Sequence, residues 1–164
     1  MRIGFIGVGG IAGNYLKSLA RLERRVAAVC DVNAARAQQA AGELGAQAFT
    51  DHREMLTQAG LQAVFVAIPP GAHGTQVADC AQAGAALFVA KPVALTLETA
   101  RAACAAIAKA GVINQAGYMA RYADITDKAR ELLAGRALAL GLGRFLCRMG
   151  AQHPWWGKQA LSGG

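Results

Sequence analysis

Residues 1–31 read MRIGFIGVGGIAGNYLKSLARLERRVAAVCD. A short apolar run at 3–6 leads into a glycine turn, then a helical stretch over 11–22, then a second apolar run that stops at Asp31. Gly7, Gly9 and Ala12 fall on the spacing G-x-G-x-x-G/A, and Asp31 lies 22 residues beyond Gly9. Glycines alone would be a weak signal. Strand, glycines, helix, strand and acid in that order form the dinucleotide-binding fingerprint.

Each position has a physical task in that reading. Gly7 lets the chain turn sharply out of the strand, because it reaches backbone angles closed to other residues. Gly9, Gly10 and Ile11 present main chain to a pyrophosphate, and Gly9 has no side chain to keep it away. Ala12 holds the helix close to the sheet. The helix start supplies unpaired N–H groups and a positive dipole end. Asp31, at the tip of the second strand, can accept both hydroxyls of the adenosine ribose. Its charge opposes a 2′-phosphate, so NAD is expected ahead of NADP, with Arg36 five residues on softening that preference.

Composition narrows the class. Of 164 residues, 54% are apolar and 16% charged, enough to bury a core and too few charges for a disordered chain. The length accommodates one domain, or one plus part of another. No apolar stretch reaches the roughly 18–20 uncharged residues needed to span a bilayer, so no membrane partner is expected. The net charge of +7 raises nucleic acid as a partner, but the 17 Lys and Arg residues are scattered, with no basic stripe among aromatics. No nucleic-acid binding is expected. Cys30, Cys80, Cys104 and Cys147 match no metal or redox spacing and read as small hydrophobes in strands or helices, so no metal is expected and a reduced, cytoplasmic setting is the simplest account.

Further strand-length apolar runs lie at 26–30, 64–68, 86–89 and 112–115, with a weak one at 47–49. Helical stretches over 34–44, 75–83 and 97–110 separate them. Asn33 and Thr96 are placed as N-caps, and Gly45, Gly84 and Gly111 as C-terminal glycines. Runs apolar throughout suit strands covered on both faces. The alternation predicts an α/β fold, a doubly wound, mostly parallel sheet of Rossmann type. After Tyr118 the pattern changes: a helix over 124–133, a strand over 143–152, then His153-Pro154-Trp155-Trp156. One strand without a partner cannot be a domain. The expectation is therefore a dinucleotide-binding domain over 1–119 and, over 120–164, the incomplete start of a second α+β domain.

Four segments together resemble the glucose–fructose oxidoreductase/inositol dehydrogenase (Gfo/Idh/MocA) family across essentially the whole chain. They are the fingerprint, Ile68-Pro69-Pro70-Gly71-Ala72-His73, Ala90-Lys91-Pro92-Val93-Ala94 and Gly117-Tyr118-Met119-Ala120-Arg121-Tyr122. The resemblance implies an NAD(P)-dependent oxidoreductase that moves a hydride to or from a sugar, polyol or related small hydroxylated substrate. It places Ile68, Pro69 and His73 along the cofactor's path and Lys91 beside the reacting carbon, where an ammonium can bond the substrate oxygen and relay a proton. Read in the first turn of a helix, His73 serves equally well to cap that turn through a ring nitrogen, and Tyr118 with Arg121 serves as a packing pair. His153, Trp155 and Trp156 receive no role. Homo-oligomers are implied through the second domain's sheet.

Two departures stand out. Ala90 replaces the family's Glu before the lysine, and the family's glycine-rich Asp-x-x-x-His segment is not in this sequence. The expectation is cofactor binding with little turnover. A non-catalytic nucleotide-binding or regulatory module is the main alternative, and an interaction protein the third.

Overall fold

A computed structural model describes residues 1–144 and 157–162. Six parallel strands form one sheet: β1 (Ile3–Ile6), β2 (Val26–Cys30), β3 (Gln47–Phe49), β4 (Ala63–Val66), β5 (Ala86–Ala90) and β6 (Asn114–Gly117). Their order is β3-β2-β1-β4-β5-β6. The chain runs outward from β1 in one direction and then restarts at β4 on its other side. The doubly wound arrangement expected from the sequence is therefore the observed one.

Helices α1 (Gly10–Arg21) and α2 (Ala34–Leu44) follow β1 and β2. They close one face of the sheet over Ile3, Phe5, Val26 and Val29, contributing Ala12, Leu19 and Ala41. Helices α3 (His52–Gln58), α4 (Gln76–Gln82) and α5 (Leu97–Ala110) belong to the other face, over Ile6, Cys30, Phe49, Val64, Val66, Leu87 and Val89. Ile3 and Phe5 face one cluster and Ile6 the other, as the two-residue period of a strand requires. Burial on both faces explains why these strands are apolar throughout.

A row of aromatic rings crosses the centre. Phe5, Phe65 and Phe88 are direct register partners on β1, β4 and β5. Neighbouring rings stack at 4.8 and 4.9 Å between centroids. Tyr15 of α1 meets Phe88 edge-on at 5.0 Å, pinning the helix over the middle of the sheet. Burial raises its phenol above the ordinary value.

Several expected boundaries move. β4 starts one residue early and stops at Val66, because the chain then turns at the sheet's centre. β5 runs on to Ala90, paired with Gly117. β6 begins two residues later than the apolar run suggests: left-handed Gly111 ends α5, and Ile113 only supplies a carbonyl to Leu87 N before pairing starts. The helix expected over 75–83 forms over Gln76–Gln82. α2 and α5 match their expected spans, with Asn33 accepting from Arg36 N and Thr96 from Thr99 N as caps.

α3 is an addition that periodicity over seven residues is too short to show. Its start is capped by Asp51, which accepts from Arg53 N at 2.7 Å and Glu54 N at 3.2 Å. Cys104 is exposed rather than packed, while Cys30 and Cys80 are buried. α6 (Asp124–Leu133) matches expectation. α7 (Gln159–Ser162) lies against a 3-10 turn at Pro70–Ala72, where a side chain on Gly71 would meet Ala160 O and Leu161 Cα. The strand expected over 143–152 falls, from residue 145 on, outside the described residues, as do Cys147, His153, Trp155 and Trp156. No helix among the described residues is long and apolar enough to cross a membrane.

Candidate functional site

Parallel strands in matched register leave their loops at one edge. Ile6 pairs with Cys30 on one side and Val66 on the other, and Val66 pairs with Val89. Gly7, Asp31, Ile68 and Lys91 therefore emerge side by side. From β2 to β5 they span three strand spacings, roughly 14 Å. The centre of this row is the point where the strand order reverses, the place doubly wound sheets bind ligands.

Gly7 stands at that centre with φ +84°. Its N–H donates to Cys30 O at 2.8 Å, extending the β1–β2 ladder one residue past the end of β1. A Cβ here would sit 2.5 Å from Ala67 O and 2.7 Å from Ile68 Cγ2. The residue is required by backbone angle and by space. Gly9 differs. It has ordinary extended angles, precedes α1 with no side-chain cap, and a Cβ would touch nothing within 4 Å. Open space in front of an uncapped helix start suits an anion whose oxygens accept from main-chain N–H groups. Gly10 and Ile11 open the helix, both exposed, with no acidic side chain in the first turn. Ala12 is fully buried against the sheet, as its place in the motif requires.

Asp31 is 6% exposed. Its Oδ2 accepts from Val8 N at 3.2 Å and its Oδ1 from Asn33 N at 3.0 Å. Arg36 Nη1 reaches both oxygens at 3.3 Å. The acid and the glycine turn are thus joined by a direct bond. Sequence reading places Asp31 and Arg36 but not Val8 or Asn33, because those two act through main-chain N–H groups that side-chain identity does not reveal.

Beyond β4, Ile68 and Pro69 are half-buried and enter the Pro70–Ala72 turn. His73 closes this turn, two residues before α4's cap position Thr75, and does not lie in a helix's first turn. Its ring bonds the main-chain carbonyl of Ile68, while Nε2 is buried with no partner among the described residues. Burial, only partly offset by that bond, lowers its pKa below the ordinary histidine value. The neutral ring holds the loop and leaves Nε2 as a buried acceptor.

Lys91 is exposed at the end of β5. Ala90 before it is 3% exposed, with its methyl in the cluster containing Ala12 and Ala67. Position 90 points into the apolar layer, so no acid stands beside the lysine there.

Away from this edge, Asp79 of α4 accepts from His52 Nε2 at 2.7 Å, Arg53 Nε at 3.0 Å and Thr75 Oγ1 at 2.8 Å. Burial alone would raise its carboxyl, but the bonds from His52 and Thr75 and the charge of Arg53 outweigh it and hold it below the ordinary value. The cluster ties α3 to α4 and is satisfied within itself.

The sequence profile of the Gfo/Idh/MocA family, described as an oxidoreductase family with an NAD-binding Rossmann fold, matches residues 1–118. The chain belongs to this family. The scyllo-inositol 2-dehydrogenase (NAD(+)) of Bacillus subtilis strain 168 is 33% identical over 139 residues, which cover 82% of this chain and 41% of that protein. Scyllo-inositol dehydrogenase from Lactobacillus casei, solved with NAD(H) and scyllo-inositol bound, superposes with a TM-score of 0.74 at 28% identity, over 81% of this chain and 40% of that one. The WlbA dehydrogenase of Bordetella pertussis, solved with NADH and UDP-GlcNAcA, gives a TM-score of 0.76 at 28% identity, over 80% and 41%. The chain spans about two fifths of the length of these Gfo/Idh/MocA relatives.

Proposed function

We propose that the crevice along the strand ends binds a nicotinamide dinucleotide. The α1 start at Gly9, Gly10 and Ile11 would take the pyrophosphate, and Gly7 and Ala12 shape that seat. Asp31 would take the adenosine ribose, with Ile68, Pro69 and His73 along the path toward Lys91. The observation that carries this is the Val8 N to Asp31 Oδ2 bond, which holds Asp31 against the glycine turn. The open space at Gly9 and the unpartnered Nε2 of His73 support it.

When bound, the nicotinamide supplies the hydride donor or acceptor. The Lys91 ammonium would bond the substrate's hydroxyl or carbonyl oxygen and offset negative charge there. The substrate class we infer is a polyol, sugar or related hydroxyl compound. The inositol and nucleotide-sugar ligands of the solved relatives support that class. Residues 1–119 would form the cofactor domain and 120–164 the opening of a substrate and oligomerisation unit. Because these 164 residues span about two fifths of the relatives' length, they are expected to bind cofactor with little turnover. Calorimetric titration with NAD tests the reading. Saturable one-to-one binding is expected, and no heat of binding at millimolar NAD would overturn it.

The buried methyl of Ala90 favours a second reading, a nucleotide-binding module without chemistry. The two separate on absorbance at 340 nm with NAD and a cyclitol or sugar. Slow turnover that disappears in Lys91→Met supports chemistry. Binding of NAD with a background rate that Lys91→Met leaves unchanged supports the module.

A further inference from the structure

The polar cluster around Asp79 lies away from the crevice, yet it reaches the loop that carries His73. Thr75 occupies the position before α4 but caps none of that helix's free amides. Its Oγ1 donates instead to Asp79 Oδ2, one turn on, at 2.8 Å. Arg53 of α3 closes a triangle, with Nη2 donating to Thr75 Oγ1 at 2.8 Å and Nε to Asp79 Oδ2 at 3.0 Å. His52 Nε2 adds a fourth bond, to the same carboxylate oxygen at 2.7 Å.

α3 can act as an anchor because it is itself fixed. Asp51 caps its start, and Met55 is fully buried in the layer beneath. The His52 and Asp79 side chains are 14% and 19% exposed, so their bond is largely shielded from solvent. The loop after β4, by contrast, is tied mostly to itself. The His73 ring bonds the Ile68 carbonyl, Gly74 N donates to Gln76 Oε1 at 2.7 Å, and Gln76 Nε2 donates to Ala72 O at 3.2 Å. α7 meets it at Gly71, before His73, and the bonds from α3 hold it at Thr75, two residues after.

We propose that His52, Arg53, Thr75 and Asp79 are positioning residues: they fix the end of the loop that lays Ile68, Pro69 and His73 along the cofactor's path toward Lys91. Side chains that align a ligand need packing and hydrogen bonds behind them to hold their geometry. Here part of that support comes from the helix after β3 and not from the loop. The inference rests on the reading of this crevice as a dinucleotide site.

The test is calorimetric titration of the full 164-residue chain with NAD and with ADP, for the unsubstituted protein, Thr75→Val, Thr75→Ser and Arg53→Met. ADP carries the adenosine and diphosphate, which address Asp31 and the α1 start, but lacks the half that runs past His73. In Thr75→Val and Arg53→Met, NAD affinity falls about threefold to tenfold while ADP affinity stays within about twofold. Thr75→Ser keeps the hydroxyl and restores NAD affinity. Arg53 has a side chain 62% exposed, so its variant carries the comparison should Thr75→Val melt early. A second readout needs no ligand. The titration midpoint of the His73 ring, followed by NMR and assigned by its loss in His73→Gln, rises toward 6.5 in both variants as the loosened loop admits water. Equal losses for NAD and ADP, unchanged NAD affinity in both variants, or an unmoved His73 midpoint overturns the positioning role and leaves the dinucleotide reading standing. Absence of binding of either ligand to the unsubstituted chain overturns the dinucleotide reading, and with it any service of these residues to a cofactor.

Discussion

The amide of Val8 donates to Asp31 Oδ2 at 3.2 Å. A single bond thereby joins the glycine turn after β1 to the acid after β2, two loops brought together only because β1 and β2 are neighbours in register. Asp31→Ala removes the acceptor for two main-chain amides and the proposed ribose partner together. NAD affinity is expected to fall at least about tenfold, given what hydrogen bonds to a charged group are worth. NADP affinity should fall less. Calorimetry checks both, and unchanged NAD affinity would mean that the acid does not hold the ribose.

Gly7 and Gly9 are expected to fail in different ways. Gly7→Ala forces a left-handed angle and a collision with Ala67 O, so the fold should lose about 2–4 kcal/mol in urea unfolding. Gly9→Ala meets nothing and has permitted angles, so stability should change by no more than about 1 kcal/mol. Its methyl stands where a diphosphate would approach, and NAD affinity should drop about tenfold or more. Equal effects of the two variants on stability would contradict the geometry.

Acid should weaken the fold in two stages. His73 has a folded pKa below its ordinary 6.5, so the unfolded chain holds more protons there. Its contribution is complete above 6.5 and declines as pH falls through that value toward the folded one. Asp79 is depressed below 3.8, so its contribution persists to about that pH and is lost beneath it. Melting temperature measured against pH should show both declines. His73→Gln should flatten the upper one and Asp79→Asn the lower one.

Thiol reactivity should follow exposure. Burial pushes the Cys30 thiol up to about 11 and the Cys80 thiol up to about 12. Neither forms thiolate at neutral pH, whereas Cys104 lies open on α5. Iodoacetamide followed by peptide mapping should label Cys104 within minutes and leave Cys30 and Cys80 unlabelled until denaturant is added. Prompt labelling of Cys30 would show that the β2 layer opens.

Local signals carried much of this molecule. Residues 1–31 alone specified strand, turn, helix, strand and acid, because glycine backbone freedom, helix capping and two-sided burial each leave a mark within a few residues. The spans of α2 and α5 were legible for the same reason: Asn33, Gly45, Thr96 and Gly111 act on their immediate neighbours. The family resemblance of the segments around Pro69 and Lys91 agrees with the profile match over residues 1–118.

What the tertiary structure decided lies between residues far apart in the chain. The aromatic row of Phe5, Phe65 and Phe88 exists only through strand register. Ala67 O, sixty residues on, gives Gly7 its steric role. The Val8 amide reaches Asp31 only because β1 and β2 lie side by side, whereas Asn33 and Arg36 close the acid from its own loop. Main-chain amides carry no signature in a side-chain code, and long-range contacts follow from which strands pair, a choice made by the collapse of the whole sheet.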